Sequence, residues 1–327
     1  MTVAWVIGGG GLVGTALRGA LKRTGVLPWV PDLRVPWGDP EQAQSVLLRS
    51  LRAFSTHVVS QQSGRWEIYW AAGVGTMHSR EADLQAESSL LRLVCEAIVA
   101  DDTLRSVPGG VALASSAGAI YGASRVDCID ETTVPAPGNA YGRAKLGQEQ
   151  VVAEGLRSLP HLGVLLARMS TVYGVGQSSA KAQGLLSHIA RCVARNAPVH
   201  VYVPLDTIRD YISAEDAALE TVLQLRRLPA GEPAAARVVA SERPTTIAEI
   251  VGHFKRLAWR PPRLITCTTS AAAAYTRRIQ FRSRYPHALA APARTTLPVG
   301  IAGLLAHAQA SLATGGAVQS GGPRAAS

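Results

Sequence analysis

Cysteine is scarce: Cys95, Cys128, Cys192 and Cys267 are the only four in 327 residues, and none falls in a Cys-x-x-Cys or Cys/His ligand spacing. Their scatter argues against a disulfide framework and a structural metal, so reduced thiols and no metal are expected. Aromatics make up 5% of the chain, and no platform of interleaved aromatic and basic residues for single-stranded nucleic acid is present. No uncharged apolar run reaches the roughly 18 residues of a membrane span. The N-terminus enters an apolar strand without a basic segment or cleavage site, which predicts a cytoplasmic protein. Acidic residues are absent after Glu249, whereas Lys255, Arg256, Arg260, Arg263, Arg277, Arg278, Arg282, Arg284, Arg294 and Arg324 follow it. These ten bases account for the whole net charge of +10. A basic C-terminal part suits phosphate groups, which guanidinium binds through forked hydrogen bonds.

What the chain does contain is a strand, a glycine turn and a helix in that order. Val3 to Ile7 is apolar, Gly8-Gly-Gly-Gly11-Leu12-Val13-Gly14 follows, and Thr15 to Leu21 has helical periodicity. Glycines there let the backbone turn tightly and approach a pyrophosphate at a helix N-terminus. Asp32, 18 residues beyond Gly14, stands where an acid would meet a ribose hydroxyl and favours NAD; Arg34 could equally meet a 2′-phosphate and favour NADP. A second cluster begins at Ser115-Ser116 and continues to Tyr141 and Lys145. Four residues is just over one helical turn, so Tyr141 and Lys145 share a face, and the ammonium can stabilise a phenolate. With Ser116 as the hydrogen-bonding hydroxyl, and Ser115 its rival, the trio is a proton relay for interconverting alcohol and ketone. The stretch from Thr133 to Gly138 breaks structure ahead of this helix, and Asn139 is placed to cap it.

These motifs resemble the extended short-chain dehydrogenase/reductases, specifically the NAD-dependent epimerase/dehydratase group that acts mostly on nucleotide sugars. Gly8, Gly11 and Gly14 fit its glycine signature, and Ala71-Ala72-Gly73 resembles its small-residue turn beneath the cofactor. Tyr121-Gly122 and Tyr141 to Lys145 match in order, as do Arg168-Met-Ser-Thr171-Val-Tyr-Gly174 and Arg209-Asp-Tyr-Ile-Ser-Ala-Glu-Asp216. The resemblance implies cofactor contacts from Gly8, Gly11, Leu12, Val13, Gly14, Asp32, Arg34, Ala71, Ala72, Gly73, Ser115, Tyr141, Lys145 and Arg168. It implies substrate contacts from Tyr121, Thr171 and Arg209, with Arg278 and Arg282 as the leading choices among Arg277, Arg278, Arg282 and Arg284 for a diphosphate clamp. The chain departs from the family pattern at Ile7, Pro36-Trp37, Ala117 and Thr171.

Alternating strand and helix patterns predict an α/β fold, a doubly wound parallel (Rossmann) sheet with a smaller C-terminal substrate-binding domain. The nucleotide-binding part is expected over 1–173, with a possible return near 205–240, the substrate part over 174–312, and a disordered Gly/Ser/Ala-rich tail over 313–327. Sugar 4,6-dehydratases of the family carry an acid pair beside the catalytic hydroxyl, where this chain has Ala117, Gly118 and Ala119. What remains is a nucleotide-sugar 4-epimerase using NAD, with an NAD(P)H-dependent ketoreductase and a non-catalytic NAD(P)-sensing protein as alternatives. The family further implies a homodimer, with the helices at Ala86 to Ala100 and Ala140 to Leu156 at its interface.

Overall fold

In strand β1 (Thr2–Ile7) Val3, Trp5 and Ile7 enter one core cluster and Ala4 and Val6 another. A strand covered on both faces reads this way: continuously apolar, with neighbouring side chains sent to opposite layers. The computed structural model describes residues 1–73, 79–176, 184–266, 278–290 and 294–319. After β1 come α1 (Leu12–Arg23), β2 (Pro28–Trp29), α2 (Pro40–Ser60), β3 (Arg65–Trp70), α3 (Glu81–Ala100), α4 (Asp102–Ser106), β4 (Gly109–Ser116), α5 (Ala117–Ile120), α6 (Ala140–Gly155) and β5 (Leu162–Met169). The later chain forms β6 (Thr171–Tyr173), α7 (Leu185–Ala194), β7 (Val199–Val201), β8 (Ile208–Ser213), α8 (Ala214–Arg227), β9 (Ala235–Val239), β10 (Pro244–Thr246), α9 (Ile247–Leu257), β11 (Leu264–Thr266) and α10 (Leu297–Gln319).

The main sheet has the order β2-β1-β3-β4-β5-β9, and every pairing in it is parallel. Helices α2, α3 and α6 cover one face and α1 and α8 the other. This is the doubly wound Rossmann arrangement. A third core cluster joins α7, α9 and α10 to Tyr173 and Tyr211, beside the small sheets β10-β8-β6 and β11-β7. Helix α10 continues through Gln319, past Ala313, where composition predicted disorder to begin. Extending an existing helix by a few residues costs far less than nucleating one. Residues 320–327 lie outside the described residues.

The segment 278–290 ties the late chain to the sheet. Ile279 N–H donates to the Ile208 carbonyl at 3.2 Å, and Arg282 N–H to the Ile129 carbonyl at 2.9 Å. Three carboxylates hold the rest. Glu131 accepts from Ser283 Oγ and Arg284 N–H, Glu242 from Ser283 N–H, and Glu220 from the N–H groups of Ala288 and Leu289. His287 sits between two of them, with Nδ1 3.6 Å from Glu220 and Nε2 2.8 Å from Glu242, the latter contact short but poorly aligned for a hydrogen bond. The interaction with Glu220, then that with Glu242, raises the imidazole from 6.5 to about 9 against the cost of burial. A pKa raised in the folded state stabilises the fold below the unfolded value and is lost as pH climbs through the folded one. The thermal midpoint is therefore expected to fall between pH 7 and 10, and His287→Gln to flatten that decline; equal slopes in a pH series of melts would contradict it.

Candidate active site

The strand order reverses between β1 and β3, and in such sheets ligands bind beyond the carboxyl ends of the strands at that point. Here the carboxyl ends carry the glycine turn. Gly8 has φ +83°, and a Cβ on it would lie 2.4 Å from Ala72 N; a Cβ on Gly14 would lie 2.1 Å from the Gly8 carbonyl oxygen. Side chains at either position would pry apart the end of β1, the start of α1 and the Ala71-Ala72-Gly73 turn. Leu12 and Val13 open α1, which has no side-chain cap and no acid in its first turn. Its free backbone N–H groups fit a pyrophosphate.

Next to this turn lies a cavity of about 620 Å³ lined by Gly8 to Gly10, Arg18, Trp29, Arg34 and Trp37, among others. Arg34 is part of that lining, whereas Asp32 lies outside it; both are exposed. Arg18, which the sequence reading overlooked, lies over Gly9, its Cδ 3.1 Å from where a Cβ would stand.

The residues expected to form a relay come from β4 and α6. Asn139 caps α6, its side chain accepting from Gly142 N–H at 2.9 Å. A Cβ on Gly142 would be 2.4 Å from the Ala119 carbonyl oxygen, so glycine here lets the start of α6 press against the turn that follows Ser116. Tyr141 is half-buried beside it, and Lys145 Nζ lies 5.8 Å from the centre of the Tyr141 ring. Burial opposes the Lys145 charge, but the neighbouring Tyr141 and Glu87 outweigh it and its pKa stands above the ordinary lysine value. The two serines separate clearly. Ser115 is buried and donates to Glu149 Oε1 at 2.6 Å, whereas Ser116 is half-buried, with no side-chain bond to the helix it caps.

Arg168 and Tyr121 behave differently from the sequence expectation. Arg168 pairs with Ser115 across β4 and β5, and its guanidinium is bound to both oxygens of Glu149 and to the Tyr121 hydroxyl. Tyr121 is fully buried, its hydroxyl also donating to the Asp130 carbonyl at 3.4 Å. Both side chains are occupied within the protein. They brace the floor of the site, the buried guanidinium being matched by a buried carboxylate.

Thr171 is exposed at the start of β6. Arg209 on β8 is half-buried and bonds the Ile208 carbonyl at 2.7 Å, and Arg278 forms a bridge with that same Ile208. The bridge sets the backbone of Arg278 beside that of Ile208, next to Arg209, and the Arg278 guanidinium donates to Gln280 Oε1 at 3.0 Å. Arg282 is exposed farther along this segment, its backbone N–H on the Ile129 carbonyl, while Arg284 is exposed too, its guanidinium 3.9 Å from Asp130 and its backbone N–H bonded to Glu131. Arg277 lies outside the described residues. Besides Arg18, the sequence reading overlooked Glu149, Gln148 and Glu87. Glu149 carries a signal, standing four residues beyond Lys145 on the same helix face; Glu87, 58 residues away, carries none.

Residues 4–239 match the NAD dependent epimerase/dehydratase family. The chain belongs to that family. A dTDP-L-rhamnose 4-epimerase from Burkholderia thailandensis is 33% identical over 101 residues, which is 30% of this chain and 27% of that protein. The chain thus matches only about a quarter of that relative's length. Among solved structures of the same fold, MoeE5 in complex with UDP-glucose and NAD has a TM-score of 0.73 at 21% identity, covering 94% of this chain and 99% of the other. RMD from Pseudomonas aeruginosa, complexed with NADPH, has a TM-score of 0.71 at 18% identity, covering 95% and 100%. The epimerase/dehydratase family accounts for the glycine cradle and for the Tyr141/Lys145 helix in one chain. Among the described residues no helix is long and apolar enough to cross a membrane.

Proposed function

We propose that the protein is a nucleotide-sugar 4-epimerase working through a Ser116-Tyr141-Lys145 relay. The observation that carries this reading is the pairing of Tyr141 with a buried Lys145 on a helix whose start presses against the turn after Ser116, while Ala117 to Ile120 adds no acid or base for eliminating water. NAD, held by the cradle of Gly8, Gly11, Gly14 and Ala71 to Gly73, supplies a hydride acceptor at its nicotinamide. Tyr141 as phenolate takes the proton of the sugar 4-hydroxyl, and Ser116 hydrogen-bonds the same oxygen and fixes its position. Lys145 stabilises the phenolate by charge. Once the ketone has turned over in the pocket, Tyr141 would return the proton to its oxygen; the bound nicotinamide would supply the chemistry of taking the C4 hydride and giving it back on the other face. Arg209 and Arg278 hold the diphosphate, and Thr171 lies at the sugar side. A homodimer would seat a second copy on the outward groove between α3 and α6, lined by Gln85, Ser89, Arg92, Arg143, Gly147 and Gln150.

A second reading, an NADPH-dependent nucleotide-sugar ketoreductase, is favoured by Arg18 and Arg34 in the adenosine-side cavity, where paired guanidinium groups suit a 2′-phosphate. One experiment separates the two: denature the purified protein and identify the nucleotide it releases. Stoichiometric NAD supports the epimerase, whose cofactor is regenerated in each turnover. An empty site that prefers NADPH supports the reductase.

A further inference from the structure

Lys145 has three N–H donors, and two are taken inside the protein: by Glu87 Oε1 at 3.2 Å and by Gln148 Oε1 at 2.9 Å. The Gln148 amide donates to the same Glu87 oxygen at 2.9 Å, so three side chains from α3 and α6 close a ring. Glu87 is 6% exposed. A Cβ on Gly73 would stand 3.3 Å from its Oε1, which puts the carboxylate directly under the turn that ends β3, at the floor of the cofactor crevice.

Holding α3 in place does not require this acid. Leu90, Leu91, Val94, Cys95 and Ile98 already pack that helix into the core. A buried ion pair gives up hydration that an apolar pair keeps no account of, so its presence in a packed interior asks for a role in charge. Glu149 also favours the Lys145 charge, but less than Glu87 does. Glu149 is committed to Arg168, at 2.6 Å, and to Ser115; Arg168 is neutralised by Glu149; Tyr121 is bound by Arg168. From β4 come only the hydroxyls of Ser115 and Ser116, and Ser88 on α3 meets Gln148 alone among these groups. Tyr141 is the group being served.

We propose that Glu87 is a positioning residue of the relay, fixing the Lys145 ammonium beside Tyr141 and keeping it charged. The proposal rests on the relay described above. With the carboxylate removed, burial acts on Lys145 unopposed by its nearest counter-charge and drives it toward the neutral amine. Tyr141 then loses the cation that stabilises its phenolate.

The chain has four lysines, Lys22, Lys145, Lys181 and Lys255, so lysine-selective carbon-13 NMR of the full-length protein follows Lys145 through a pH titration, assigned with Lys145→Arg. Glu87→Gln is expected to lower the Lys145 midpoint by about one to three pH units, and the high-pH limb of kcat/KM moves down with it. Glu87→Asp, which keeps the charge on a shorter stem, lowers it part of the way. An unmoved Lys145 titration overturns the proposal, whatever happens to activity; should Glu87→Gln fail to fold, an unmoved midpoint in Glu87→Asp overturns it equally. Failure of the relay itself reads out elsewhere, as turnover retained by Tyr141→Phe, and leaves the titration untouched.

Discussion

Tyr141→Phe is expected to reduce kcat by about a hundred- to ten-thousandfold while the protein still binds its dinucleotide. The loss follows from removing one oxygen, because phenylalanine keeps the ring's place at the start of α6 but can neither take nor return a proton. Lys145 and its partners Glu87 and Gln148 are untouched by the change. Steady-state kinetics on the nucleotide sugar that supports turnover, beside dinucleotide binding followed by fluorescence, give the test. Turnover near that of the parent protein would remove Tyr141 from the chemistry.

Arg168→Leu has a different expected result: a loss of stability of about 3–5 kcal/mol, with the defect in folding and not in cofactor affinity per folded molecule. The leucine leaves Glu149 as a buried carboxylate with Ser115 as its remaining hydrogen-bond donor, and takes from the Tyr121 hydroxyl its strongest partner. Denaturant unfolding measures the first quantity, and dinucleotide titration of the folded fraction measures the second. Unchanged stability with weakened dinucleotide binding would return Arg168 to the cofactor-contacting role that its motif implied.

The contrast between these residues shows what could be read from the sequence. A strand buried on both faces is a continuous apolar run, so β1 was legible, and so was a helix bearing Tyr141 and Lys145 behind an Asn139 cap. Helix α2 runs on to Ser60 because Phe54 and Val58 continue its buried stripe. The short strands β6, β7, β10 and β11 have three residues each, too few for a period-two pattern to emerge. Side-chain roles were harder than elements. A motif fixes which residue types stand near a site but not which way they are bonded, so Arg168 and Tyr121 were read as facing ligand when they face Glu149 and each other. Glu87 illustrates the limit: its partner lies 58 positions away, and only the packing of α3 on α6 makes them neighbours.

The strap over residues 278–290 also sets an order of events during synthesis. Glu131 and Glu220 belong to segments made long before Ser283, Ala288 and Leu289, and Asp216 waits likewise for Thr295, whose N–H it accepts at 2.7 Å. On the ribosome the parallel sheet can assemble first, N-terminal elements leading, yet these acids lack their partners until the segment that starts near Ser283 emerges. A nascent chain halted at β9 would carry the Tyr141/Lys145 helix but neither Arg278 nor the strap beside it. The contacts of residues 278–290 therefore close over a sheet that has already formed.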